Sequence, residues 1–205
     1  DARVRGWWSK YKDVFKNETL PDFETEASVL RSYDGQVIPG LLQTPDYTRA
    51  LFQGGRYTSP SEMEQRTQAR MKRREILTRH QPVHLRSIID EAAFHRPVGG
   101  ANVMLHQLKH LLHMAQMPHI DVQVLPYSKG AHAGLTAPFI ILEFPHPLDT
   151  PIVCVPTLTD ALYLEDHEDI EAYKATFGDI QGSAISSAES AEYITNQIKT
   201  LESAP

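Results

Sequence analysis

The sequence predicts an α+β fold, with a small, mostly antiparallel sheet of about five strands packed with N-terminal, central and C-terminal helices. Two observations carry this. Alternating, β-rich segments bunch at Val83 to Ile89, Ile120 to Leu125, Phe139 to Phe144, Ile152 to Val155 and Ala161 to Leu164. Apolar residues at helical spacing stand before, between and after them instead of alternating with strands throughout.

In chain order, Trp7, Trp8, Tyr11 and Phe15 place an aromatic stripe on one helix face. Thr19 caps a second helix, in which Phe23, Ala27, Leu30 and Tyr33 repeat the spacing until Asp34-Gly35 stops it. In QVIPGLLQTPDYTRALF, Val37 and Ile38 run extended before Pro39, and Gly40 lets the chain turn. Leu41 and Leu42 then tuck inward, Thr44 caps, and Pro45 opens a helix that turns Tyr47, Ala50 and Leu51 to the core. Ser59-Pro60 starts a polar helix reaching Arg79, anchored by Met63, Met71 and Leu77. Its Arg66, Arg70, Lys72, Arg73, Arg74 and Arg79 are interleaved with Glu62, Glu64 and Glu75, so a solvated face with internal ion pairs is preferred to a nucleic-acid surface. A strand, helix, strand unit follows, its helix running from Asn102, as cap, to Gln116 with Leu105, Leu108, Leu112 and Ala115 as the core stripe. A hairpin-like series comes next. The tail is helical at Asp166 to Phe177 and again from Ser187, where Ala191, Ile194, Ile198 and Leu201 are the buried stripe. The whole reads as one domain, 1–205, helical to about residue 80 and α+β from about 81.

At 205 residues and 41% hydrophobic content the chain can bury a real core. Its one cysteine, Cys154, excludes an internal disulfide and reads as an inert thiol in an apolar strand. With no signal-peptide order at the start, a reducing cytoplasm is the expected compartment. The most apolar stretch, AGLTAPFIILEF, is far short of the ~20 residues of a membrane helix, so no membrane partner is expected. A net charge of −6 and a pI near 5.9 argue against this chain wrapping nucleic acid by itself.

Three stretches could carry chemistry. His106, His110 and His113 share a helix face, and the i, i+4 pair could bridge a metal. No Glu or Cys completes the set and His113 lies about 10 Å along the axis from His106, so solvent-facing histidines are preferred and no metal or other cofactor is expected. In KGAHAGLTAPF, a loop of small residues lets a group approach the backbone, with His132 either a pocket residue able to move a proton or incidental to a tight hairpin. In IIDEAAFHRPVGGANV, Asp90 and Glu91 are adjacent and so point to opposite faces of a strand, and an ion pair from Glu91 to Arg96 fastening the turn is preferred to an acid dyad. The sequence contains no G-x-S-x-G, C-x-x-C or dinucleotide fingerprint.

Together, RGWWSKY, EAS at 26–28, VIPGLLQTPDYTRAL, DEAAFHRPVGG, VMLHQLKHLL, VQVLPYSKGAHAGL, ALYLED and Glu189-Ser190 resemble the C-terminal domain that follows an Xre-type helix-turn-helix in actinobacterial regulators. The regulators that the chain resembles are described as antitoxin-like, and the WhiJ-type developmental regulators of streptomycetes are their relatives. The resemblance implies a ligand- or partner-sensing domain of a transcription regulator, dimeric, touching DNA only through a helix-turn-helix that would precede Asp1. Its expected partner is a small molecule or a small cognate protein. Two departures, Cys154-Val155-Pro156 and Phe94-His95, imply a different ligand if those positions line the pocket. The candidate lining is Trp8, Tyr47, His95, Arg96, Tyr127, His132 and Phe139. The alternatives are a paralogue without the helix-turn-helix, recruited as a cyclase or tailoring enzyme of natural-product biosynthesis with His132 or Glu91 as acid-base groups, and a module binding a small cognate protein.

Overall fold

The computed structural model describes residues 20–55, 59–158 and 160–203, so the aromatic stripe from Trp7 to Phe15, with the candidate Trp8, lies outside the described residues. Helix α1, Leu20–Glu26, leads into strand β1, Val29–Asp34. Helices α2, Pro45–Gln53, and α3, Pro60–Arg73, cross over to β2, His84–Asp90. The short α4, Ala92–His95, and the long α5, Gly100–Met114, lead to β3, Ile120–Leu125. A meander of β4, Phe139–Glu143, β5, Ile152–Pro156, and β6, Ala161–Leu164, precedes α6, His167–Ser183, and α7, Ser187–Ser203.

The six strands form one sheet in the order β3-β2-β1-β4-β5-β6, with three of its five pairings antiparallel and β3-β2-β1 parallel. The α+β class therefore holds, with one strand more than expected. That strand is β1, where the sequence predicted helix. Helical geometry ends at Glu26, and Leu30 and Tyr33, three residues apart, enter opposite cores because the strand lies at the sheet's centre with both faces covered. On one face Leu30, Leu85, Ile89, Val122 and Leu142 meet the helical layer through Leu42, Leu77, Leu108 and Ile194. On the other, Tyr33, Ile88, Phe139, Ile141 and Val153 meet Ile170, Phe177 and Ile180 of α6.

Helix α5 begins two residues before Asn102, behind Gly99 in the left-handed region at φ 73°, so Asn102 falls in its first turn and is not the cap. A Cβ on Gly99 would also stand 2.9 Å from Ala50 and Val103. The buried stripe of α5 is Met104, Gln107, Leu108, Leu111 and Met114, rotated from the expected one so that Leu105, Leu112 and Ala115 sit half-buried at its margins.

The polar Gln107 is buried because it holds the PGLLQT corner: it accepts from the Thr44 amide at 2.7 Å and donates to the Leu42 carbonyl at 2.7 Å. The corner packs as read from the sequence, with Leu41 and Leu42 buried in a 3-10 turn, Gly40–Leu42, and Thr44 accepting from the Tyr47 amide. Tyr47 is fully buried, its hydroxyl accepting from the Ile38 amide at 3.2 Å. Gln43 completes the corner, donating to the Ile38 carbonyl and accepting from Thr48 and Arg70.

The basic residues of 66–79 are anchors more than a solvated face. Arg66 and Lys72 pair with Glu62 and Glu75 near the surface, but Arg73 forks onto the buried Glu24, Arg74 donates to the Gln43 carbonyl and Arg79 to those of Thr25 and Ala27. They fasten the corner and α1 to α3.

Candidate functional site

After β3 the chain returns to the opposite side of β1, so the C-terminal ends of β1 and β2 meet the start of β4 at one edge of the sheet. In open sheets with parallel strands this switch in strand order leaves a crevice, because the connections leave the edge in opposite directions. A cavity of about 860 Å³ opens there. Tyr33, Asp34 and Gly35 from the end of β1 and Asp90, Ala92 and Arg96 following β2 form one part of its wall. The rest comes from Gln36 and Val37, after β1, from Gly134 to Pro138, before β4, and from Pro156 to Leu158, at and after the end of β5.

The segment 126–138 crosses this edge as a strap of two 3-10 turns, Tyr127–Lys129 and Ala133–Leu135. It is not the tight hairpin that the small residues suggested, because β3 and β4 lie on either side of β2 and β1 and never pair. Two neighbouring acids at the end of β2 fasten the strap. Glu91 accepts from the Tyr127 amide at 2.6 Å, and from the Tyr193 hydroxyl at 3.1 Å with its other oxygen. These bonds and His95 hold the Glu91 carboxyl below its ordinary pKa against the opposing effect of desolvation. Asp90 takes the far end: its Oδ2 stands 3.6 Å from His132 Nε2, while its Oδ1 accepts from the Ala92 amide at 2.8 Å. The His132 side chain is only 5% exposed, its Nδ1 accepts from the Gly134 amide at 3.2 Å, and its ring meets Tyr33 edge-on at 5.9 Å.

Burial, then the charges of Asp90 and Asp34, raise the Tyr33 hydroxyl to about 12, so it stays a proton donor at neutral pH. Asp34, half-buried at the end of β1, is raised by desolvation to about 7, against the opposing effects of the Ser32 hydroxyl and the Arg70 charge. It therefore titrates in the physiological range. Because folding raises this carboxyl from 3.8 to about 7, its stabilising contribution is complete below about pH 4 and is lost as pH rises through 7. Asp34→Asn is expected to abolish that loss. From pH 5 to pH 8 the parent should lose ~1–3 kcal/mol more than the variant, discounted for partial exposure, in urea titrations at the two values.

The structure divides the sequence-predicted lining. Arg96 lines the cavity, while His132 and Phe139 stand behind its wall, against the lining residue Tyr33, whose ring lies 6.3 Å from Phe139. Tyr47 is a core residue. His95 and Tyr127 form a separate surface stack, ring centres 5.8 Å apart, beside Glu91 and Tyr193. The expected pair from Glu91 to Arg96 is replaced by Glu91 to His95 at 3.2 Å, because α4 turns Arg96 toward the cavity and His95 back over Glu91. Of the histidine trio, His106 and His113 are exposed, but His110 is half-buried, near Arg74, and not solvent-facing. Desolvation and the nearby Arg74 push His110 down to about 4, and its Nε2 is buried without a hydrogen-bond partner. Among the described residues no group of three or more His, Cys, Asp or Glu is placed to hold a metal ion.

Sequence reasoning overlooked Asp34 and Tyr33 and set Asp90 aside. The available signal was an Asp closing each of two parallel strands, Tyr33-Asp34 and Ile89-Asp90, which became visible only once β1 was a strand.

The sequence model of one protein family, described as a domain of unknown function (DUF5753), matches residues 17–196. The chain belongs to this family. Neither the curated proteins nor the solved structures yielded a match. The matched span of the DUF5753 domain contains the whole cavity wall and both clamps of the strap. Among its described residues no helix is long and apolar enough to cross a membrane.

Proposed function

We propose that this DUF5753 domain binds a small molecule in the strand-end cavity and serves as the sensing part of an Xre-type transcription regulator. The carrying observation is the cavity of about 860 Å³, within the ~300–1,000 Å³ of small-molecule sites, with Asp34, Asp90 and Arg96 in its wall. Those groups suit a ligand with an amine or other donor for the carboxylates and an acceptor for the guanidinium, its apolar part lying on Leu135 and Pro138. DNA contact in this reading belongs to a separate helix-turn-helix domain, in keeping with the net charge of −6. The regulator would act as a homodimer in the cytoplasm.

A thermal-shift screen of amines, amino acids and carboxylates tests the binding. At least one compound is expected to raise the melting temperature by a few degrees, as a ligand well above its Kd stabilises by ~2–3 kcal/mol. The shift should shrink in Arg96→Ala and vanish in Ala137→Trp, which fills the cavity. No shift with any compound, or one that both variants leave intact, would sink the reading.

One observation favours a second reading, a small-molecule enzyme. Asp34, raised to about 7 and lining the cavity that Asp90 also lines, is placed to take or give a proton at neutral pH. Turnover of a bound compound by the parent and not by Asp34→Asn would decide for it.

A further inference from the structure

The strand-end cavity has two chemically different sides, and the topology of the sheet separates them. The parallel strands β1 and β2 both end on it and bring Tyr33, Asp34 and Asp90, with Arg96 following β2. Among the described residues of its wall, every charged group is on this side. The antiparallel strands β4 and β5 meet it instead through Leu135, Ala137 and Pro138 before β4 and through Pro156 and Leu158 at and after the end of β5. Thr136 and Thr157 are the only polar side chains that these two segments add to the described wall.

The apolar side is also the exposed one. Leu158 is 100% exposed and Leu135 68%, so two of the five large hydrophobic side chains exposed among the described residues border this one cavity, from separate segments. A single exposed leucine is ordinary, but an apolar rim beside polar groups marks a surface that a ligand or partner covers. The charged side defines that occupant. Two carboxylates and one guanidinium call for a cation and an anion on one small head, which a hydrophobic protein segment does not offer. The apolar side holds leucine, proline and alanine but no aromatic ring to stack on, so it suits an aliphatic chain.

We infer that the ligand is an aliphatic amphiphile: its ammonium and carboxylate head faces Asp34, Asp90 and Arg96, and its tail runs out over Leu135 and Leu158. This rests on the reading of the cavity as a small-molecule site and adds the class of molecule it takes. The head fixes orientation, and the length of the tail sets the strength of binding.

NMR titration with the straight-chain 2-amino acids of four, six and eight carbons, followed on the amides of Asp34, Ala92 and Ala137, tests it. Each methylene is expected to tighten binding by about twofold to fourfold, as for apolar surface partly or fully removed from water. Leu135→Ser combined with Leu158→Ser should flatten the series while leaving the four-carbon compound at its parental Kd. Both leucines are exposed, so this variant is expected to fold. Arg96→Ala should weaken all three compounds by the same factor and keep the slope. A parental series without slope, or a slope that the double variant retains, would overturn the amphiphile and leave the cavity as a site for other compounds of the wider screen. No binding by the series, while another class of compound binds, does the same. If the parental series is flat and the double variant dissociates a dimer in sedimentation, the rim is an interface between two copies of the chain, and the amphiphile falls. Only the absence of binding by the series and by every compound of the screen removes both readings together.

Discussion

Arg73→Met is expected to destabilise the protein by about 3–5 kcal/mol, the range for breaking a buried ion pair from one side. The Glu24 carboxylate, 1% exposed, receives both arms of the Arg73 fork at 2.7 and 2.8 Å. Removing the guanidinium leaves that charge without a counter-ion in a niche that also contains Leu30, Leu41 and Ile140. Its effect should reach beyond α1, because Glu24 ties α1 to α3, and α3 anchors the corner through Arg70. Urea unfolding measures the loss, and Glu24→Met combined with Arg73→Met should recover most of it, since two apolar groups need no partner. A single-variant loss below ~1 kcal/mol would place the pair among weak surface bridges.

Gly134→Ala should be the most damaging single methyl in the strap. The new Cβ would sit 2.6 Å from two carbons of the Tyr33 ring, which is itself 3% exposed and held by His132 and Phe139. Nothing flexible can yield there, so the strap must rise from the sheet. The expected loss is ~2–3 kcal/mol, as for overpacking in a well-filled core, together with weaker binding of whichever compound the screen identifies. Gly130, with open space where its Cβ would stand, differs in kind: an alanine there meets backbone strain at φ 65° but no clash. A Gly134→Ala protein with parental stability and unaltered binding would show that the strap is looser than its packing indicates.

The sequence made most of the fold legible where one force dominated. β3 and β6 were bounded to the residue, and the Ser59 and Thr44 caps hold as read, because alternation and cap chemistry act locally. β1 failed because a short strand covered on both faces lacks clean alternation, and Phe23, Ala27, Leu30 and Tyr33 happen to fit a helix. That error hid the site. Asp34 read as a helix stop has no neighbour, whereas Asp34 at the end of a strand parallel to β2 stands beside the Asp90 end. His132 was found from its small neighbours alone, but its latch to Asp90 joins residues that only the sheet brings together. Arg96, expected to pair with Glu91, borders the cavity instead, since the direction of a side chain after a four-residue helix is set by tertiary packing.

The central place of β1 also governs how the chain can assemble. Its Ser32 meets Ser87 across 55 residues of chain, and its Arg31 meets Glu143 across 112. Both neighbours of the middle strand are thus remote, and the loop entropy of gathering them must be met before the contacts reward it. Contact order this high makes for slow folding, and a chain emerging from the ribosome must release β4 before the sheet can close around its first strand. Until then, the backbone of β1 is left with an open edge.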